Sequence, residues 1–236
     1  MVSTVIKNWD NNTWLSSNDY IKSFNNFLIK NTKLNSNSKI LDIGCGRGKI
    51  LGSLSSKLKL RNKPLGIDLI SHKDKDNRIN FKKIDAKYFF LKNKNQFDLI
   101  LIKQTIHLLD LNTIKKLLFL SKKNLTKNGQ IFIFTLDTYQ NELPTFRLMK
   151  TKLKKSLDRD KRILKLISKL YPQKLKKKFI YKVKIIKKKY LEMIKERYIS
   201  TLLNLNKQQI TIGLNEINSK YKKTIKFKDK LTCIVL

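Results

Sequence analysis

The stretch Ile40–Leu51 reads Ile-Leu-Asp-Ile-Gly-Cys-Gly-Arg-Gly-Lys-Ile-Leu, and it decides the fold. An apolar run with one acid predicts a buried strand, three alternate glycines predict a tight loop, and the following residues begin an amphipathic helix. Glycines permit positive φ angles and close backbone approach, and the first N–H groups of a helix have no partner within the helix. The stretch therefore predicts a polar ligand bound by backbone at a helix N-terminus.

Further strands and helices alternate after the glycine stretch. The apolar segments expected to form strands two to five are Pro64–Asp68, Ile79–Ile84, Phe97–Ile102 and Gln130–Leu136. Helical spacing of apolar residues predicts helices after Asn18, through Leu51 to Leu58, and over Leu111–Leu125. This alternation predicts a doubly wound parallel sheet with right-handed crossovers.

The second half of the chain is strongly basic. Residues 147–189 carry 19 Lys and Arg against two Asp. We expect a mainly helical insertion over 138–190, although Phe179–Ile186 is ambiguous between helix and strand. The alternation in Thr224–Phe227 and Leu231–Leu236, separated by a short Lys-Asp turn, predicts a terminal hairpin.

The net charge of +36 is carried by 46 lysines and only seven arginines, and Ala86 is the single alanine. Such a composition is typical of an AT-rich genome, whereas selected phosphate contacts favour arginine. Nucleic acid therefore remains the less favoured partner. Two cysteines and two histidines have no metal-ligand spacing, and no apolar run spans a bilayer. We expect a cytoplasmic protein with no metal and no membrane association.

In motif order, residues Lys39–Leu136 resemble the class I S-adenosylmethionine-dependent methyltransferases. Ile40–Gly48 resembles the first motif of this family, Gly66–Asp68 the second, and Ile84–Ala86 the third. Phe97-Asp98-Leu-Ile is similar to the signature of the fourth strand, and Leu125–Gly129 to the turn into the fifth. The resemblance implies a Rossmann-like seven-stranded sheet with the last strand antiparallel, and S-adenosylmethionine as cofactor.

Carried over residue by residue, the resemblance implies a role for the three acids at the strand ends. Asp42 and the glycines would hold the amino acid end of the cofactor, Asp68 the ribose, and Asp85 with Ala86 the adenine. The full set of expected cofactor-binding residues is Asp42, Gly44, Cys45, Gly46, Gly48, Asp68, Leu69, Asp85, Ala86 and Lys103.

The sequence indicates the site of the methyl acceptor less clearly than the cofactor site. The residues after the fourth strand, Lys103-Gln-Thr-Ile-His107, match no signature of base or ribose methylation, and they are similar to small-molecule methyltransferases that carry a His there. His107 is the candidate proton acceptor, because imidazole titrates near neutral pH. The candidate substrate contacts are Trp9, Trp14, Asp137, Arg197 and Tyr198.

Together these features predict one domain with four parts: an N-terminal lid and helix (1–35), a cofactor-binding core (39–137), the basic insertion (138–190), and C-terminal helices with the hairpin (191–236). The expected function is methyl transfer to an oxygen, nitrogen or carboxylate of a small molecule, which the lysines suggest is anionic. The alternatives are an RNA or protein methyltransferase that uses the basic insertion, and a cofactor-binding subunit without activity of its own.

Overall fold

The computed structural model describes residues 13–236. Seven strands form one sheet: β1 Ile40–Ile43, β2 Leu65–Asp68, β3 Asn80–Lys83, β4 Phe97–Lys103, β5 Leu125–Leu136, β6 Leu175–Ile186 and β7 Thr224–Val235. The helices are α1 Asn18–Lys30, α2 Lys49–Leu58, α3 Ala86–Lys92, α4 Leu111–Lys123, α5 Arg147–Leu170, α6 Lys187–Lys195 and α7 Lys207–Lys220. Short 3₁₀ helices lie at Trp14–Ser16, Ile106–Leu108 and Ser200–Leu202.

The strand order is β3-β2-β1-β4-β5-β7-β6. The first five strands are parallel, and β7 is antiparallel to both of its neighbours, β5 and β6. Because the order reverses between β1 and β4, the carboxyl ends of these two strands flank a crevice where ligands bind in open α/β sheets. The predicted fold class is thus observed.

Helices cover both faces of the sheet, which explains the almost continuous apolar runs of its central strands. On one face, Leu99 and Leu101 of β4 pack with the apolar sides of α1 and α2. On the other face, Ile100 and Ile102 pack with α3 and α4. The long helix α5 contributes to both clusters, since Met149 belongs to the first and residues 163 and 167 to the second. It therefore crosses the sheet from one face to the other.

Local sequence signals account for several helix starts. Ser17 caps α1 by accepting a hydrogen bond from the Tyr20 N–H, and Asn206 with Gln209 forms a capping box at the start of α7. Within residues 13–236, none of the helices combines the length and the apolar character that a membrane crossing requires.

The predicted terminal hairpin is wrong. Residues 224–235 form one continuous strand, and the sixth strand comes instead from Leu175–Ile186, inside the segment expected to be mainly helical. The alternation of buried and exposed residues continues through Lys228 and Asp229, with the Asp229 side chain buried in the row of Phe227 and Leu231. A polar pair that was interpreted as a turn is therefore strand, because the acid finds partners inside the protein.

Candidate functional site

The loop after β1 has the tight geometry that its glycines predict. Gly44 has a φ of 74°, and a Cβ there would lie 2.2 Å from Thr105 Oγ1. Gly48, which begins α2, has a φ of 70°, and its Cβ would lie 2.2 Å from Ile79 Cδ1. Both positions combine a left-handed backbone with a close neighbour, so glycine alone fits without rearrangement.

Asp68, at the end of β2, connects this loop to the next one. Its Oδ2 accepts a hydrogen bond from the Gly46 N–H at 2.8 Å, and its Oδ1 accepts one from the Ile70 N–H at 3.0 Å. Each carboxylate oxygen can accept a second hydrogen bond, so both remain able to bind a hydroxyl group. The neighbouring Leu69 side chain is 62% exposed and presents an apolar surface beside the carboxylate.

Asp85 is the N-cap of α3 and lies after β3. Its Oδ1 accepts hydrogen bonds from the Lys87 and Tyr88 N–H groups at 2.8 and 3.3 Å. Ala86 is the first residue of that helix, and the ring of Tyr88 is largely exposed. The cap thus fixes the Asp85 carboxylate at the same edge of the sheet as Asp68 and uses only one of its oxygens.

Asp42 is buried inside β1, just before the glycines. Its Oδ1 has no hydrogen-bond partner among residues 13–236. Burial raises the pKa of Asp42 to about 7, with Lys103 lowering it and Asp68 raising it further. A buried carboxylate oxygen without a partner costs free energy in a folded protein, so this atom is available to a ligand that brings a donor or a cation.

Lys103 ends β4 next to Asp42. Its Nζ lies 5.3 Å from the ring centroid of Tyr20 and 5.5 Å from that of Phe24, both on α1. Burial lowers the pKa of Lys103, although the carboxylates of Asp229 and Asp42 act in the opposite direction. The Lys103 amine therefore lies over aromatic rings and interacts with two buried acids.

Cys45 lies in the glycine loop with its thiol largely buried. Burial is the main cause that raises its pKa, and Asp42 and Asp68 act in the same direction. The thiol is thus protonated at neutral pH and is a poor nucleophile.

Trp14, predicted as a substrate contact, is buried against the C-terminal part of the chain. Its Nε1 donates a hydrogen bond to Asp229 Oδ2 at 3.0 Å, and its ring packs edge-on against Tyr198 and Phe227 at centroid distances of 5.4 and 5.1 Å. Sequence reasoning missed Asp229, whose signal was an acid placed in the buried row of a strand. Trp9 lies outside the described residues.

Tyr198 and Arg197, two other predicted contacts, make internal hydrogen bonds. The hydroxyl of Tyr198 lies 2.9 Å from that of Tyr190, and burial raises the pKa of Tyr198. Arg197 adopts a positive φ of 54° and donates from Nη2 to the carbonyl of Leu205. The structure thus joins Trp14 and Tyr198 in one aromatic cluster, with Arg197 at its border.

Asp137 follows β5 and is also buried. It accepts hydrogen bonds from the Tyr139 and Gln140 N–H groups, and its Oδ2 forms an ion pair with Lys178 Nζ at 3.1 Å. Burial opposes ionisation, but these donors lower the pKa of Asp137 below its ordinary value. Its carboxylate therefore holds the loop after β5 in place.

His107 lies in the 3₁₀ helix after β4 and is half-buried. Burial, and then the Arg159 guanidinium of α5, lower its pKa to about 4. Arg159 Nη2 donates a hydrogen bond to the carbonyl of Leu109, at the end of the same 3₁₀ helix. His107 is therefore a neutral imidazole at physiological pH, able to accept or donate a hydrogen bond.

A surface cavity of about 670 Å³ lies near the amino ends of β4 and β5, far from these residues. Its acid, Asp98, already accepts hydrogen bonds from the Lys39 N–H and the Thr126 hydroxyl. Because parallel sheets bind ligands at the carboxyl ends of their strands, we place the functional site at the glycine loop. Across residues 13–236, no group of three or more His, Cys, Asp or Glu side chains is arranged to hold a metal ion.

The sheet order and the glycine loop define a fold that solved S-adenosylmethionine-dependent methyltransferases share. No family model matches the sequence, and no curated protein sequence matches it. The comparison with solved structures, in contrast, gives many matches.

Three of these structures illustrate the likeness. A protein assigned as a methyltransferase of an antibiotic biosynthesis pathway from Anabaena variabilis has a TM-score of 0.59 and 15% identity, over 90% of this chain and 95% of that chain. A SAM-dependent methyltransferase from Archaeoglobus fulgidus has a TM-score of 0.53 and 18% identity, over 93% and 94%. The plantazolicin methyltransferase BpumL, solved with a pentazolic desmethylPZN analog and SAH, has a TM-score of 0.50 and 18% identity, over 91% and 82%. These likenesses confirm the predicted fold.

Proposed function

We propose that this chain is an enzyme that transfers a methyl group from S-adenosylmethionine to a small-molecule acceptor. The observation that carries the proposal is the buried Oδ1 of Asp42, which lacks a partner within residues 13–236 and lies beside the glycine loop. The cofactor has an α-ammonium group and a sulfonium, and either cation would satisfy this carboxylate.

The other residues at this edge fit the same cofactor. The left-handed Gly44 and Gly48 let the backbone approach a ligand closely. Asp68 keeps acceptor capacity on both oxygens for ribose hydroxyls, and Leu69 offers an apolar surface beside it. Asp85 keeps one oxygen free of the helix cap for an adenine amino group. We assign Cys45, Gly46, Ala86 and Lys103 to the same binding site by their positions.

When bound, S-adenosylmethionine would supply a methyl group on a sulfonium: a lone pair of the acceptor would bond to the methyl carbon as the carbon–sulfur bond breaks, and the neutral thioether would leave. Positive charge disappears in this reaction, so the protein mainly has to orient the acceptor and exclude water. The covering elements suit this task, since α1 places Tyr20 and Phe24 over Lys103 and α5 covers the loop of His107. We assign to the neutral His107 the hydrogen bond that orients the acceptor hydroxyl or amine.

Calorimetry with S-adenosylmethionine tests the cofactor site. We expect Asp42→Asn to weaken binding about tenfold or more, the size of one lost charge-assisted hydrogen bond. Asp160→Asn is the matched control, because Asp160 is also a buried acid whose Oδ1 lacks a partner within the described chain, but it lies on α5. Equal affinities for the wild type and Asp42→Asn, with both proteins folded in thermal melts, would contradict the assignment.

A screen with methyl-labelled S-adenosylmethionine against small carboxylic acids, phenols and amines tests the reaction. Turnover by the purified single chain supports an enzyme and excludes a binding subunit that needs a partner. Turnover of RNA or protein substrates in place of small molecules would overturn the acceptor class that we propose.

A further inference from the structure

Helix α5 connects the two loops that border the acceptor side. Through Arg159 it donates a hydrogen bond of 3.1 Å to the carbonyl of Leu109, in the loop after β4. Two residues further, Lys161 Nζ lies 5.3 Å from the ring centroid of Tyr139, in the loop after β5. This part of α5 therefore lies across the loops that follow β4 and β5, next to His107.

Most N–H groups of the Arg159 guanidinium have no acceptor within residues 13–236. In the part of the chain that the structure describes, its one hydrogen bond is to the Leu109 carbonyl, and it makes no ion pair there. The side chain is exposed. A guanidinium carries five N–H groups in a planar fork that matches the two oxygens of a carboxylate. An anion could therefore bind here without displacing an internal acid.

Each of the two loops that α5 contacts presents an exposed apolar side chain. Leu108 is 66% exposed and lies in the 3₁₀ helix that Arg159 contacts, and Tyr139 is 78% exposed beneath Lys161. Exposed apolar groups next to a cation with free donors are typical of a site for a ligand with an apolar body and one anionic group.

We propose that Arg159 binds the carboxylate of an acceptor with an apolar body and thereby orients that acceptor at His107. This proposal rests on the proposed function. Arg159 is then a residue that determines specificity, and the acceptor is an aromatic or other apolar carboxylate. The methyl group goes to the carboxylate itself or to a second nucleophile on the same molecule.

His107 provides a reporter that is independent of activity. Arg159 is the charged group that lowers its pKa, after burial. The elements packed against this 3₁₀ helix are α5 and β5, and Asp160 and Lys161 lie next to Arg159 on α5, but Arg159 is the charge that acts on His107. A carboxylate bound to Arg159 neutralises the cation, so it raises the pKa of His107. The chain has only two histidines, and His72→Gln identifies their signals.

The test is an NMR titration of His107 with benzoate and with its neutral analogue benzamide, in the absence of cofactor. We expect benzoate to raise the pKa of His107 in the wild type and benzamide to leave it unchanged. Arg159→Gln should raise the pKa without ligand and weaken benzoate binding at least about tenfold. Arg162→Gln, an exposed arginine on the same helix, should stay within about twofold of the wild type.

Benzoate without effect on His107, or with the same effect in Arg159→Gln, would overturn the anion site. Phenyl phosphate serves as a third ligand. If it binds more tightly than benzoate, Arg159 prefers a phosphate to a carboxylate, and the proposed class of acceptor is wrong. Because the titration contains no cofactor, its failure is distinct from failure of the calorimetry with S-adenosylmethionine, which tests the proposed function.

Discussion

Cofactor affinity should depend on pH through Asp42. Burial raises the pKa of this carboxyl to about 7, so a large part of the free protein carries it protonated near neutrality. A cationic cofactor favours the ionised form, so binding releases a proton from the protonated fraction. Affinity is therefore highest above the pKa of the free protein and falls as the pH decreases below it.

The magnitude follows from the ionised fraction. With a pKa of about 7, half of the Asp42 carboxyls are ionised at about pH 7, and about 3% at about pH 5.5. The dissociation constant should then rise about 16-fold between these two values, or about 1.6 kcal/mol of binding free energy. Over this range the cofactor amine, with an ordinary pKa of about 7.7 to 8.0, stays protonated.

Calorimetry at several pH values within this range measures the effect. His72 titrates nearby, since burial lowers its pKa from 6.5, and Asp68 faces it. The experiment is therefore done in the His72→Gln background. Asp42→Asn should bind more weakly with a nearly flat profile. A slope that is the same with and without the Asp42 carboxyl would refute the reasoning.

Three further perturbations have defined outcomes. Gly44→Ala should lower the free energy of unfolding by more than about 1 to 2 kcal/mol, since strain at a φ of 74° adds to the clash with Thr105. In urea denaturation, the Gly44→Ala, Thr105→Gly double variant should recover part of this loss. No recovery would refute the clash. Trp14→Phe keeps an aromatic ring but removes the donor to Asp229, and it should cost about 2 kcal/mol in the same assay; an unchanged midpoint would contradict that role. Asp160→Asn should stabilise the protein, by at most about 3 kcal/mol, because burial raises the pKa of this acid to about 6. The increase in the free energy of unfolding should be larger at about pH 8 than at about pH 5. A larger increase at about pH 5 would contradict this role of Asp160.

Much of the parallel half of the sheet could be predicted from short segments. The strands β1 and β4 are apolar runs bounded by polar residues, Asp42 lies inside β1 just before the glycine loop, and Asp68 ends β2. These features are local, so they can be read without knowledge of the folded chain. The cofactor side of the candidate site depends mostly on such features.

The antiparallel half depends on contacts between distant residues. Asp229 looked like a turn residue because its partner, the indole of Trp14, lies 215 positions away. Similarly, the cation that acts on His107 comes from α5, which docks through apolar packing on both faces of the sheet. The distant partner in each contact cannot be identified from the local sequence, so sequence reasoning found His107 but missed Arg159.

The position of β7 also constrains when the sheet can form during synthesis. This strand is made last of the seven, yet it lies between β5 and β6. Until residues 224–235 leave the ribosome, β6 has no place in the sheet and β5 is an open edge. Before it pairs with β7, β6 is a poor template for pairing with another chain because lysines alternate along it at 176, 178, 182 and 184. Part of the high charge of this segment can thus be understood as protection of a nascent chain whose sheet closes late.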